Sequence, residues 1–199
     1  GTLDGGRTIA VDAEGRLLVA GNAWNQAGEW RVVVWRYRPD GTLDPAFNSG
    51  GWIVHTRGSG GDTVSEMALD EQGRILLTGS TTDSAGKKDM IVWRLEQDGS
   101  LDMTFAGAGW IVYSGALDDY GWGLILDGDG RIGVAGNSMD ASGDFDMVLW
   151  RFFPDGAPDG RFDGDGVAVH RNAAGGAGLD IGRSVVLDAQ GRIVVAGHS

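Results

Sequence analysis

Cysteine is missing altogether from this chain of 199 residues, proline occurs only four times, and the 16 basic residues are outnumbered by 28 acidic ones. Without cysteine there are no disulfides and no thiolate metal centres, and both the cytosol and a bridge-free bacterial envelope protein stay open as locations. The net charge of -12 sets most of the surface against a polyanion, so nucleic acid is not an expected partner. No apolar run approaches the ~18 residues that span a bilayer, and no membrane span is expected. The opening Gly1-Thr2-Leu3-Asp4 has neither the basic nor the apolar part of a signal peptide. Helical periodicity with caps is also missing, so helix should be close to absent. What the chain does have is 36 glycines, 8 tryptophans and 42% hydrophobic residues, a composition of short strands joined by many tight turns.

Those strands are copied along the chain. Gly15-Arg16, Gly73-Arg74, Gly130-Arg131 and Gly191-Arg192 fall at spacings of 58, 57 and 61. Trp35-Arg36, Trp93-Arg94 and Trp150-Arg151 repeat in step, followed by Asp44, Asp102 and Asp159 and then by Phe47, Phe105 and Phe162. A period of this size marks a propeller or solenoid, in which one supersecondary unit stacks on its own copies. The chain reads as a single segment, 1-199, with copies at about 5-62, 63-119, 120-180 and a partial 181-199. Because both ends fall inside a repeat, it reads as a piece of something longer.

The second copy resolves into four strands. Strand a is Ser65 to Leu69, closed by the turn Asp70-Glu71-Gln72-Gly73; strand b is Arg74 to Thr78, stopped by Gly79; strand c is Asp89 to Leu95; strand d is Trp110 to Tyr113. Runs such as Val32-Val33-Val34 and Ile91-Val92-Trp93 are apolar on both faces, so each small sheet must be covered on both sides. Four antiparallel strands sandwiched between copies of themselves make a blade, and the expected fold is an all-β propeller of about three and a half blades. An antiparallel β-sandwich is the alternative, but it needs no fixed period. A closed ring takes at least four blades, so the end blades should be covered by further blades of the same or another chain. Two copies of this chain would join an a-b pair to another a-b pair, so a longer polypeptide is the preferred source.

Three spaced signatures resemble the delta-sixty repeat, a bacterial β-propeller domain of unknown function similar in style to NHL propellers. They are Asp188-Ala189-Gln190-Gly191-Arg192-Ile193-Val194-Val195-Ala196-Gly197, Gly143-Asp144-Phe145-Asp146-Met147-Val148 leading to Trp150-Arg151, and Asp98-Gly99-Ser100-Leu101-Asp102 followed by Phe105. The likeness spans the chain, with two departures: Trp stands before the Arg, and Pro158 replaces the Leu before Asp159. The resemblance implies an exported or surface-attached bacterial protein with no assigned catalysis.

A residue present in every copy builds the blade rather than reacts. Asp12, Asp70, Asp127 and Asp188 are therefore turn residues, and Arg36, Arg94 and Arg151 are structural, within reach of Asp44, Asp102 and Asp159. Asp127 with Asp129, and Asp163 with Asp165, have the spacing of calcium loops but lack the third carboxylate and the distal Glu. Plain glycine turns are the simpler reading there, and the same choice applies to Asp140, Asp144 and Asp146. No other cofactor and no catalytic residue is indicated. His55 and His170 share the end of strand d and His198 follows strand b, with no spacing that suggests convergence on a metal or a triad.

Binding should sit where the copies disagree. One column of strand a reads Arg7, Ser65, Trp122 and Arg183, and the loops before it also differ: 58-62, then Leu117-Asp118-Asp119-Tyr120, then 177-180. Trp122 could stack on a sugar or peptide while Asp118 or Asp119 accepts hydrogen bonds. Trp24 and Trp30, without aromatic counterparts in the other copies, make a second candidate patch. The expected function is a non-enzymatic scaffold or recognition module with a protein or carbohydrate partner. The alternatives are a propeller lyase or glycan hydrolase, and an assembly subunit that binds through its end blades. The enzyme would require Asp118, Asp119, Tyr120 and Trp122 to line one concave pocket.

Overall fold

The computed structural model describes residues 4–57, 60–172 and 179–199. It contains β1 (Asp4–Val11), β2 (Leu17–Trp24), β3 (Trp30–Tyr37), β4 (Trp52–His55), β5 (Asp62–Leu69), β6 (Ile75–Thr82), β7 (Lys88–Leu95) and β8 (Trp110–Tyr113). These are followed by β9 (Asp119–Leu126), β10 (Ile132–Met139), β11 (Phe145–Phe152), β12 (Val167–His170), β13 (Ile181–Leu187) and β14 (Ile193–His198). All pairings are antiparallel between sequential strands: β1 to β4, β5 to β8 and β9 to β12 form four-stranded sheets, and β13 pairs with β14. The result is about three and a half propeller blades, and no helix occurs among the described residues.

The doubly apolar runs explain the stacking. Ile75, Leu77, Ile91 and Trp93 of the second sheet pack against Leu18, Val32, Val34 and Phe47 of the first. Their alternate neighbours Leu76, Met90 and Val92 pack against Leu124, Val134, Val148 and Trp150 of the third. Successive side chains of a strand point to opposite faces, so a central blade contributes to two cores at once. Among the described residues nothing covers the end faces, and there Ile9, Val11, Val186 and Val194 are exposed, from 48% to 63%. Each a strand touches the next, β1 beside β5, β5 beside β9 and β9 beside β13, which places these strands around the axis.

Strand b departs from the sequence reading. It does not stop at Gly79 but runs through it to Thr82. A Cβ at Gly79 would lie 1.8 Å from the Thr63 carbonyl oxygen, and one at Gly136 would lie 1.9 Å from that of Tyr120. The glycine lets the a strand approach, which is the other standing reason for glycine inside a strand. The close approach has a matching irregularity on the partner. Pairing slips between Gly6 and Thr8, between Val64 and Glu66, across Trp122, and between Gly182 and Ser184. Each a strand thus carries a β-bulge at the same place.

Candidate functional site

At the a-b turn end, the repeated polar residues are engaged with one another. Asp70 Oδ1 accepts from the backbone N–H groups of Gln72 and Arg74, its Oδ2 from Arg74 Nε at 2.7 Å, and Gly73 turns the chain with φ 73°. Asp12 and Asp188 repeat this pattern with Arg16 and Arg192. In the outer part of each blade, Arg36, Arg94 and Arg151 donate to Asp44, Asp102 and Asp159 at 2.8, 2.7 and 2.9 Å. The same guanidinium groups lie over Phe47, Phe105 and Phe162, 4.4 to 4.7 Å from the ring centroids. Arg36 also donates to the Gln97 carbonyl of the next blade, and Arg94 to that of Pro154.

The first two clamps therefore each tie a blade to its successor. A Cβ at Gly99 would fall 2.7 Å from Phe47, so the aromatic plugs the gap against a glycine turn of the next blade. Burial tends to raise the Asp102 carboxyl, but the hydrogen bonds from Thr104 and Arg94 outweigh it and hold it below the usual carboxylate range.

At the other end, the bulges bring the non-repeating column together. Arg7, Ser65, Trp122 and Arg183 line a single cavity of about 550 Å³, with Trp30, Glu66, Lys88 and Tyr120 beside them. A bulge adds one residue against a single partner and re-aims a side chain; here it occurs four times around the axis and presents three different residue types, Arg twice. The Trp122 ring is stacked on Tyr120 at 5.7 Å and 10° and covered by the Arg183 guanidinium at 4.4 Å. Its Nε1 donates to Asn137 Oδ1 at 2.5 Å. The indole thus positions Arg183 rather than offering a bare stacking face.

Asp118 and Asp119 do not line this cavity. Asp118 Oδ1 accepts from the Lys88 backbone N–H at 2.9 Å, and its Oδ2 accepts from the Tyr120 hydroxyl at 3.2 Å. Asp119 is fully buried and accepts from the Gly115 N–H at 2.6 Å, and burial raises its carboxyl pKa. Burial, and then the Asp118 charge, push the Tyr120 phenol up to about 12. Trp24 and Trp30 meet edge to face at 4.9 Å, but only Trp30 reaches the cavity, and Trp24 stays on the exposed side. Of the two flanking loops, residues Gly58, Ser59, Ala177 and Gly178 lie outside the described residues.

Three of the four carboxylates with calcium-loop spacing, Asp127, Asp129 and Asp165, have other partners. Arg131 reaches both Asp127 and Asp129, while Asp165 accepts from the Val167 N–H. Asp163 sits in the left-handed region at φ 50°. Asp140 closes its turn by accepting from the Ser142 and Asp144 N–H groups, and Asp146 is held by Arg171 at 2.8 Å. Among the described residues, no three His, Asp or Glu side chains are grouped to hold a metal ion.

His55 lies against the Gly99 carbonyl at 2.9 Å, and burial lowers its pKa. His170 and His198 share a hollow with Asp180 between the third and last sheets. No spacing signalled that meeting, because it depends on how a d strand faces the b strand of the next blade.

The pattern of the family described as "Domain of unknown function (DUF5122) beta-propeller" matches residues 13–47, 73–105 and 128–162, just over half of the chain. The chain belongs to this family. Each match to the DUF5122 propeller runs from the a-b turn region through strand c to the clamp phenylalanine, Phe47, Phe105 or Phe162, so the family signature is the frame. The bulged positions lie outside the matched ranges.

No curated protein sequence matches the chain. Among solved structures, a fucose lectin from Kordia zhangzhouensis in complex with methyl-fucoside aligns with 16% identity and a TM-score of 0.48, covering 85% of this chain and 96% of that one. A thermostable family-43 glycoside hydrolase aligns with 11% identity and a TM-score of 0.55, covering 95% of this chain and 62% of that one. The second alignment supports the propeller fold.

Proposed function

We propose that this DUF5122 propeller is a non-enzymatic recognition module that holds a small polar ligand, such as a saccharide, in the cavity rimmed by the four bulges. One observation carries the reading: the residues that repeat are spent on turns and clamps, whereas the column that does not repeat converges on one cavity. The chemistry lining that cavity also favours binding over hydrolysis. Glycoside cleavage ordinarily takes two carboxyl groups flanking the bond. Glu66 is the one carboxylate among the lining residues, and its Oε1 accepts from the Thr8 hydroxyl at 2.6 Å. The likeness to the delta-sixty repeat supports an exported or surface location.

Titration calorimetry of the chain against neutral and charged oligosaccharides and short peptides tests the reading. A saturable heat that is lost in Trp122→Ala is the expected result; no binding to any of them, or binding indifferent to that substitution, would remove the proposal.

A second reading has its own support. The exposed Ile9, Val11, Val186 and Val194 are the apolar faces that the inner blades bury. Arg151 makes the aspartate and phenylalanine contacts of its clamp and, among the described residues, no contact with a further carbonyl. Both observations favour further blades at the two ends. Light scattering would show association of the isolated chain if that is so, and a stable, well-folded monomer would argue against it.

A further inference from the structure

The cations of this acidic chain are almost all accounted for. Twelve of its 16 Lys and Arg side chains form ion pairs with carboxylates. Among the described residues four do not: Arg7, Arg57, Lys88 and Arg183. Three of those four, Arg7, Lys88 and Arg183, line the bulge cavity, where Glu66 is the single opposing carboxylate. Asp4 lines the adjoining hollow beside Arg7, and Asp118 is bonded to the Lys88 N–H and the Tyr120 hydroxyl. A surplus of positive charge is thus concentrated in one concave place on a molecule of net charge -12.

Arg183 is the informative member. In the clamps a guanidinium also lies over a ring, but an aspartate occupies its donors, as in the Arg94 to Asp102 pair. Here the orienting group is a ring face, and the ring is itself fixed by Tyr120 and Asn137. A cation–π contact uses the charge of the guanidinium and consumes none of its N–H donors. Those are the donors that take a carboxylate in a bidentate pair. Ser65 adds a hydroxyl, and the Trp30 indole adds apolar surface of the kind a sugar ring lies against.

Building on the recognition reading above, we infer that the ligand is an acidic saccharide, its carboxylate held by Arg183 and Arg7 and its ring beside Trp30. A peptide acid shares the carboxylate but lacks a ring to set against Trp30, so the saccharide is the better fit.

The test uses uronate trisaccharides (galacturonate, glucuronate and mannuronate), their neutral methyl esters, and triglutamate, titrated into the whole chain and followed by calorimetry and tryptophan fluorescence. At least one uronate should bind tenfold or more tightly than its methyl ester, weaken as salt is raised, and lose fivefold or more affinity in both Arg7→Ala and Arg183→Ala. Arg57→Ala should match the wild type. Both arginines are exposed, so the variants should fold, and circular dichroism checks that they do. Equal binding of ester and acid would overturn the acidic class while leaving recognition standing, and triglutamate binding as well as the uronates would overturn the saccharide. Failure of every uronate with a neutral sugar still bound refutes this inference alone, whereas failure of every probe refutes the recognition reading as well.

Discussion

The clamp of Arg94, Asp102 and Phe105 and the bulge at Trp122 belong to neighbouring blades, yet they treat repetition in opposite ways. The clamp is written three times, because its geometry closes: each guanidinium satisfies an aspartate and covers a ring, and in the first two blades it also reaches a carbonyl of the next. The bulge recurs four times as backbone and never as a full set of identical side chains, because its geometry opens into a cavity where no partner in the frame dictates the residue. Chemistry is conserved between blades where the blade itself supplies the partner, and varies where something outside the blade does.

The largest blow to that contrast should come from the closed side. Asp102→Ala leaves the Arg94 guanidinium buried without its carboxylate, and a stability loss of about 3–5 kcal/mol is expected from urea unfolding. Affinity at the cavity should change less than twofold in the fraction that remains folded. Asp159→Ala should cost less, since the Arg151 side chain is 24% exposed against 6% for Arg94.

Next in size is the seam between the two regions. A methyl at Gly79 would have to displace the Thr63 carbonyl, and Gly79→Ala should cost about 2–4 kcal/mol and lower both melting temperature and affinity. If the variant melts like the wild type, the bulge is not held by that glycine.

On the open side the pattern should invert. Trp122→Ala removes the support beneath Arg183 but leaves the blade cores untouched, so stability should fall by about 1 kcal/mol or less while uronate affinity falls tenfold or more. A large melting shift with affinity retained would make Trp122 a frame residue after all.

The smallest effect is on pH dependence, and its sign differs between the regions. Asp44, Asp102 and Asp159 are held below their unfolded value of 3.8, burial opposing and hydrogen bonds with arginine charges prevailing. Their contribution is present above pH 3.8 and is lost as pH falls through the lower folded values. Asp119 is raised above 3.8 by burial, so it favours the fold most at low pH, and stability declines as pH rises through its folded value. Stability curves of Asp119→Asn should lack that decline; an unchanged curve would refute the assignment.

Much of the frame was legible in the sequence. The Arg36 to Asp44 spacing foretold the clamp, the doubly apolar strands foretold the stacking, and Asp-x-x-Gly-Arg foretold a turn in which the carboxylate caps two N–H groups. All of these are contacts within one repeat or between copies in fixed register. Gly79 was misread as a stop because a glycine that ends a strand and one that admits a bulge look alike until the partner strand is seen. Asp118 and Asp119 looked available because their spacing does not reveal that a neighbouring blade's Lys88 N–H and the Gly115 N–H already occupy them.

By itself the sequence determined the blade, its period and its internal bonds, since local pairing and alternation act over a few residues and recur with every copy. Only the tertiary structure decided that Arg7, Ser65, Trp122 and Arg183 meet, and that Trp122 carries Arg183 on its face. Those residues are dozens of positions apart, and the rotation of one blade on the next, set by how the cores between them pack, is what makes them neighbours.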